Sequence, residues 1–166
     1  MLARMESYDL FIAAPMSAIA PGDYATGRKD ILALMENLSG RHKFGRIYFA
    51  GAQIEDSGSF TSEDEALRRD MSALRAARLF VMIYPGKIVT SALVEVGYAM
   101  ALRLPCLLLV RDRDDLPYLL KQAEKAGKAA QLPPIEIQTT ADGDWAAAIA
   151  HFRDRMKEHG NNERQG

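Results

Sequence analysis

Three short runs, Leu10–Ala14, Leu79–Tyr84 and Cys106–Val110, are apolar from end to end. A strand with one wet face alternates apolar and polar residues, whereas a strand that is apolar throughout is covered on both faces. Between the runs lie segments with helical spacing. Asp23–Leu38 repeats Ile31, Leu34, Met35 and Leu38 at helical intervals, and Ser62 with Glu65 has the form of a capping box opening a helix to about Ala77. Ser91–Leu104 reads as a third helix, Asp115–Ala126 as a fourth and Trp145–Lys157 as a fifth, while Ile47–Ala50 and Ile135–Gln138 supply two further strands. This regular β-α order predicts an α/β fold, a single doubly wound, five-stranded parallel sheet in a flavodoxin-like three-layer sandwich. Ligands of such sheets sit beyond the carboxyl ends of the strands, where strand order reverses. That directs attention to four loops: Pro15–Tyr24, Gly51–Thr61, Pro85–Ser91 and Arg111–Asp115.

The chain has 166 residues, 48% of them hydrophobic, which suits one domain over residues 1–158 followed by a polar tail at 159–166. A formal charge of -1 gives no long-range field to draw the molecule onto a nucleic-acid polymer or an anionic membrane. Cys106 is the only cysteine, so no intrachain disulfide and no thiolate metal cage can form. Met1–Asp9 carries Arg4, Glu6 and Asp9 in place of an export signal, and Ala92–Val110 is interrupted by Glu95, Arg103 and Pro105. A cytoplasmic protein without a membrane span is the expectation. His42, His151 and His159 have no metal-ligand spacing, so no metal and no cofactor is expected.

Glu95 is the sharpest chemical signal, the one charged residue in ALVEVGYAMAL, Ala92–Leu102. A carboxylate among buried side chains is normally paired, shifted in pKa or placed in a functional pocket. The other reading is that Glu95 faces the positive end of its helix. Thr90 and Ser91 suit a helix cap, and the free N–H groups there would also suit a phosphate or a ribose hydroxyl. Gly97 and Ala99 fit close packing of this helix on the sheet. Asp70 follows Arg68 and Arg69, and lies either on a solvated helix face or turned toward the ligand edge. Pro15, Met16 and Ser17 form the first loop, offering a rigid turn, an apolar wall and a hydroxyl. Tyr24 and Arg28 are suited either to stacking on a base and meeting a phosphate or to an ordinary surface. Lys87 and Arg111 are weaker phosphate candidates.

Several of these pieces together resemble the nucleoside 2-deoxyribosyltransferase-like superfamily, which includes deoxynucleotide N-hydrolases and is akin to TIR domains that cleave NAD. They are YDLFIAAPMS at the first strand, IYFAG at the second, Asp70 with the stretch running into LFV, and SALVEVGYAMALRLPCLLL from Ser91, together spanning about residues 8–110. The resemblance implies that Glu95 is the catalytic glutamate attacking the anomeric carbon and Asp70 the aspartate beside the substrate. It also implies a homo-oligomer in which a neighbour helps close the site. Two departures stand out. Pro85–Ser91 reads PGKIVTS, without the aspartate that usually precedes a glycine-rich segment there, and the first strand ends in AAPMS in place of a glycine-containing turn.

The implied substrate is a small nucleoside, nucleotide or NAD, cleaved or transferred at its N-glycosidic bond. The alternatives are a TIR-like NAD hydrolase using the same glutamate and a nucleotide-sensing module without turnover.

Overall fold

The computed structural model describes residues 7–16, 20–54, 62–139 and 144–162, and of 159–162 the backbone only. The strands are β1 (Leu10–Ala13), β2 (Ile47–Phe49), β3 (Phe80–Tyr84), β4 (Cys106–Val110) and β5 (Ile135–Thr139). The helices are α1 (Pro21–Gly40), α2 (Glu63–Ala76), α3 (Ala92–Ala101), α4 (Ala123–Ala129) and α5 (Trp145–Asn162). All strand pairs are parallel and the sheet order is β2-β1-β3-β4-β5, so the expected flavodoxin-like α/β sandwich forms.

Alternation along each strand assigns the two faces. Phe11, Ala13, Phe80, Met82, Leu108 and Val110 pack with Ala73 and Leu74 of α2 and with Ala92, Val96 and Ala99 of α3. Leu10, Ile12, Val81, Ile83, Leu107 and Leu109 pack with Ile31, Leu34 and Leu38 of α1 and with Ile149 and Phe152 of α5. Both faces are covered, which is why these strands carry no polar alternation. Only β5, at the sheet edge, alternates, with Glu136 and Gln138 less buried than Ile135 and Ile137. Among the described residues, no helix is long and apolar enough to cross a membrane.

The boundaries depart from the sequence expectations where single residues intervene. The continuous helix expected over Asp115–Ala126 is instead two short 3-10 turns, Arg113–Asp115 and Leu120–Gln122, followed by α4. Pro117 is the cause: it cannot donate to a helix and pushes Leu116 into extended geometry, at φ -66 and ψ 143. Helix α3 stops at Ala101 rather than Leu104, because Arg103 takes a left-handed φ of 59 and the Leu104 N–H turns back to the Ala99 carbonyl at 3.0 Å. Helix α1 begins at Pro21, whose missing N–H costs nothing in a first turn. Ser62 does precede α2, but its side chain makes no capping hydrogen bond, and the acidic first turn Glu63, Asp64 and Glu65 complements the helix dipole instead. Helix α5 continues to Asn162 rather than ending at Lys157, so its last turn runs into the segment expected as a polar tail.

Candidate active site

The sheet order reverses between β1 and β3, and the crevice beyond their carboxyl ends is bounded by the starts of α2 and α3 and by the turn after β2. There a cavity of about 690 Å³ is lined by Met16, Ala50, Ile54, Ser62, Glu63, Ala66, Leu67, Arg69, Asp70, Met71, Ser91, Val94 and Glu95. That volume lies within the usual range for small-molecule sites.

Each wall has a local cause. The stretch after β2 forms a 3-10 turn, Ala50–Gln53, that presents Ala50 and Ile54 to the cavity. Gly51 is required in it, since a Cβ there would come within 2.5 Å of the Phe49 ring. Three side-chain hydrogen bonds from α1 hold the turn. Arg28 donates through Nε to the Gly51 carbonyl at 2.8 Å and through Nη2 to the Ala52 carbonyl at 2.9 Å, and the Tyr24 hydroxyl donates to the Ile54 carbonyl at 2.7 Å. Replacing Arg28 with alanine removes two charge-assisted bonds from a part-buried turn. We expect a stability loss of about 1–3 kcal/mol, read from the urea midpoint at unchanged slope.

The start of α3 is placed by Tyr84 at the end of β3. Its hydroxyl donates to the Ile88 carbonyl at 2.6 Å and accepts from the Ile88 N–H at 3.0 Å, folding the Pro85–Val89 loop back on the strand. Thr90, not Ser91, then caps the helix: its Oγ1 accepts from the Ala92 N–H at 3.3 Å, while the Ser91 side chain makes no capping bond and lines the cavity.

Glu95 is 8% exposed and lines the same cavity. Its carboxylate accepts no hydrogen bond from a described residue, and burial, reinforced by the negative charge of Asp70, pushes its pKa up to about 8. A first-turn position favours the charged form by less than about 1 kcal/mol, so the helix dipole does not offset the lost hydration. Asp70 on α2 is half-buried. Burial raises its pKa, while a hydrogen bond from Tyr48 and the charge of Arg69 pull it down. The Tyr48 hydroxyl donates to Asp70 Oδ1 at 2.6 Å. Glu95 and Asp70 therefore meet in one cavity in different environments, the first desolvated and without a donor among the described residues, the second hydrogen-bonded by Tyr48 and favoured by the charge of Arg69. Such a pair separates acid–base roles.

Compared with solved structures, 92% of the chain aligns with 98% of a Clostridium botulinum CMP N-glycosidase, BcmB, at TM-score 0.56 and 14% identity. It aligns over 92% of its length with 91% of BlsM, known as a solution structure, at TM-score 0.59 and 17% identity. The chain shares the fold of these two proteins. The sequence matches no protein-family model and no curated protein.

Within this fold, the structure gathers Glu95, Asp70, Met16 and Ser91 around one cavity. Ser17 lies outside the described residues. Pro15 follows β1 with a trans peptide bond and does not line the cavity. Tyr24 and Arg28 do not line it either. Tyr24 is 2% exposed, and both side chains are directed at carbonyls of the turn after β2, so they shape the wall from behind. Arg111 pairs with Asp115 at 3.1 Å, away from the cavity, and Lys87 is not among its lining residues. Gly97 was expected to pack on the sheet but faces open space, and Ala99 makes that contact.

Two contributors escaped the sequence reading. Arg69 carries no role in the sequence reading beyond preceding Asp70, yet it lines the cavity, while its neighbour Arg68 pairs with Asp64 at 2.7 Å. Consecutive helical residues differ by about 100° in direction, so the neighbours need not share a face. Tyr48 was read only as part of an apolar strand, although a buried tyrosine needs a partner for its hydroxyl.

Proposed function

We propose that this protein breaks the N-glycosidic bond of a nucleoside or nucleotide, with Glu95 at the anomeric carbon. The observation that carries the reading is the placement of a buried carboxyl, without a hydrogen-bond donor among the described residues, beside a second, hydrogen-bonded carboxyl, in a cavity of about 690 Å³ at the switch point of this fold. Likeness to a CMP N-glycosidase is in keeping with it.

As the bond between C1′ and the base nitrogen breaks, positive charge develops on the sugar. An ionised Glu95 in a water-poor cavity stabilises that charge more than it stabilises the neutral sugar. Its oxygen then bonds to C1′ as the base departs with the bonding electron pair. Water completes hydrolysis by attacking C1′ and freeing the carboxylate, or a second base completes transfer. Asp70 lies close enough to act on Glu95 electrostatically and is suited to take the proton of the incoming nucleophile. Met16, Ala50, Ile54, Leu67, Met71 and Val94 supply apolar walls for a base.

The test is chromatography for free base after incubation with nucleoside monophosphates, their 2′-deoxy forms, free nucleosides with an acceptor base, and NAD. We expect base release from at least one nucleoside or nucleotide. Release confined to nicotinamide from NAD would reassign the substrate, and binding of all these compounds without release would replace the enzyme reading with a sensor.

A further inference from the structure

We infer that Tyr48, at the centre of β2, is a positioning residue of this site, fixing Asp70 in the orientation and ionisation state that the chemistry requires. The inference rests on the N-glycosidase reading for its catalytic consequence, though not for its structural one. Tyr48 does not line the cavity; it reaches the site through its hydroxyl, which meets Asp70 and also feels the neighbouring Arg69. Its hydroxyl donates to Asp70 Oδ1 at 2.6 Å across elements 22 residues apart, which leaves the other carboxylate oxygen for the cavity.

The tyrosine itself is held by a stack of rings. It lies 4.9 Å from the Phe11 ring at an interplanar angle of 27°, and Tyr8 meets its edge at 5.4 Å. Phe11 in turn stacks on Phe80 at 5.8 Å, and Phe11 and Phe80 are paired in register across β1 and β3. The donor thus stands on the edge strand β2, braced by rings of the inner strands β1 and β3, while its acceptor stands on α2. A group supported in this way has little rotamer freedom to lose, as preorganised sites require.

Chemistry favours a tyrosine here. Burial and the Asp70 charge raise its pKa above the ordinary value, so the phenol stays protonated and can only donate to the carboxylate. The charged groups facing Asp70 are Arg69 on its own helix and Glu95 on α3, with Tyr48 as the donor from the sheet and Glu63 on the same cavity wall. Tyr48 and Arg69 favour the Asp70 carboxylate, whereas burial disfavours it. Removing the phenol hydroxyl tips that balance toward the protonated acid.

The experiment compares Tyr48→Phe, which keeps the ring stack, with the unaltered protein by two readouts. The first is ¹³C NMR titration of the Asp70 carboxyl, which needs no activity. We expect its midpoint to rise by about one pH unit in the variant, the shift corresponding to loss of one hydrogen bond to a charged group. The second is steady-state kinetics on whichever compound releases base, where kcat should fall about tenfold or more with KM changed less than threefold, the pattern of an interaction made in the transition state. An unmoved Asp70 titration overturns the inference whatever the activity. A moved titration with unchanged kcat overturns the catalytic part. If the unaltered protein releases no base from any compound, the N-glycosidase reading fails on its own, and the titration still decides whether Tyr48 governs Asp70.

Discussion

Replacing Glu95 with glutamine should abolish base release and, at the same time, make the protein more stable. Loss of activity follows from the proposed chemistry: glutamine cannot bond to C1′ as a displaceable carboxylate and carries no charge to offset the developing cation, so a fall of about a thousandfold or more is expected. The gain in stability follows from burial. Glu95 has its pKa raised from 4.5 to about 8 in the folded chain, so folding favours its neutral form. Its contribution to stability is complete below the unfolded value and is lost progressively as pH rises from about 4.5 to about 8. Above that range the native protein holds an ionised, poorly solvated carboxylate, at a cost of about 5 kcal/mol. Glutamine has nearly the same shape and no ionisation to suppress, so the variant should melt about 10 °C higher at pH 9 and close to the original at pH 4. Calorimetry at the two pH values, alongside chromatography at pH 8, reads both effects. Lost activity without the pH-dependent gain would mean that Glu95 is not desolvated in the free site; a gain with activity retained would remove it from the chemistry.

A group that weakens the fold where it is ionised is the usual mark of a functional carboxylate rather than a structural one. Its candidacy was visible in the sequence because a single charge interrupts an apolar helix. The sheet was legible for the same kind of reason: runs such as LFVMIY and CLLLV have no polar residue to offer water, which leaves only a strand covered on both faces. What the sequence could not carry were pairings between distant residues. Nothing local distinguishes a tyrosine that stacks on a ligand from Tyr24, whose hydroxyl finds a carbonyl 30 positions away, or a phosphate-binding arginine from Arg28, whose guanidinium is taken up by carbonyls 23 and 24 positions on. The Tyr48–Asp70 bond is of the same kind, a side-chain pair fixed by how β2 lies against α2. The breaks at Pro117 and Arg103 differ in character. Pro117 announces itself, since the residue before a proline avoids helix geometry, whereas the left-handed Arg103 stands where a glycine would ordinarily signal the helix end.

The pH dependence of turnover separates the two roles a buried glutamate can play. As a nucleophile, Glu95 must be ionised in the free enzyme, and with a pKa of about 8 only a minor fraction is ionised at neutrality. The kcat/KM should therefore rise about tenfold between pH 7 and pH 9, level off above that, and fall about tenfold for each unit below 7. As a general acid, Glu95 would have to be protonated, and kcat/KM would instead be flat to about pH 7 and fall above 8. The direction of the limb near pH 8 decides between them, and the Glu95→Asp variant checks that this limb belongs to residue 95. Asp70 sharpens the contrast. Its negative charge is one cause of the raised Glu95 pKa, so Asp70→Asn should move the limb to lower pH while the deeper burial of Glu95 keeps it above the ordinary 4.5. A limb that stays in place in Asp70→Asn would mean that the two carboxyls titrate independently. A limb that moves would mean that the fold uses one acid to hold the other protonated until a substrate arrives, coupling the site's resting charge to the state in which it reacts.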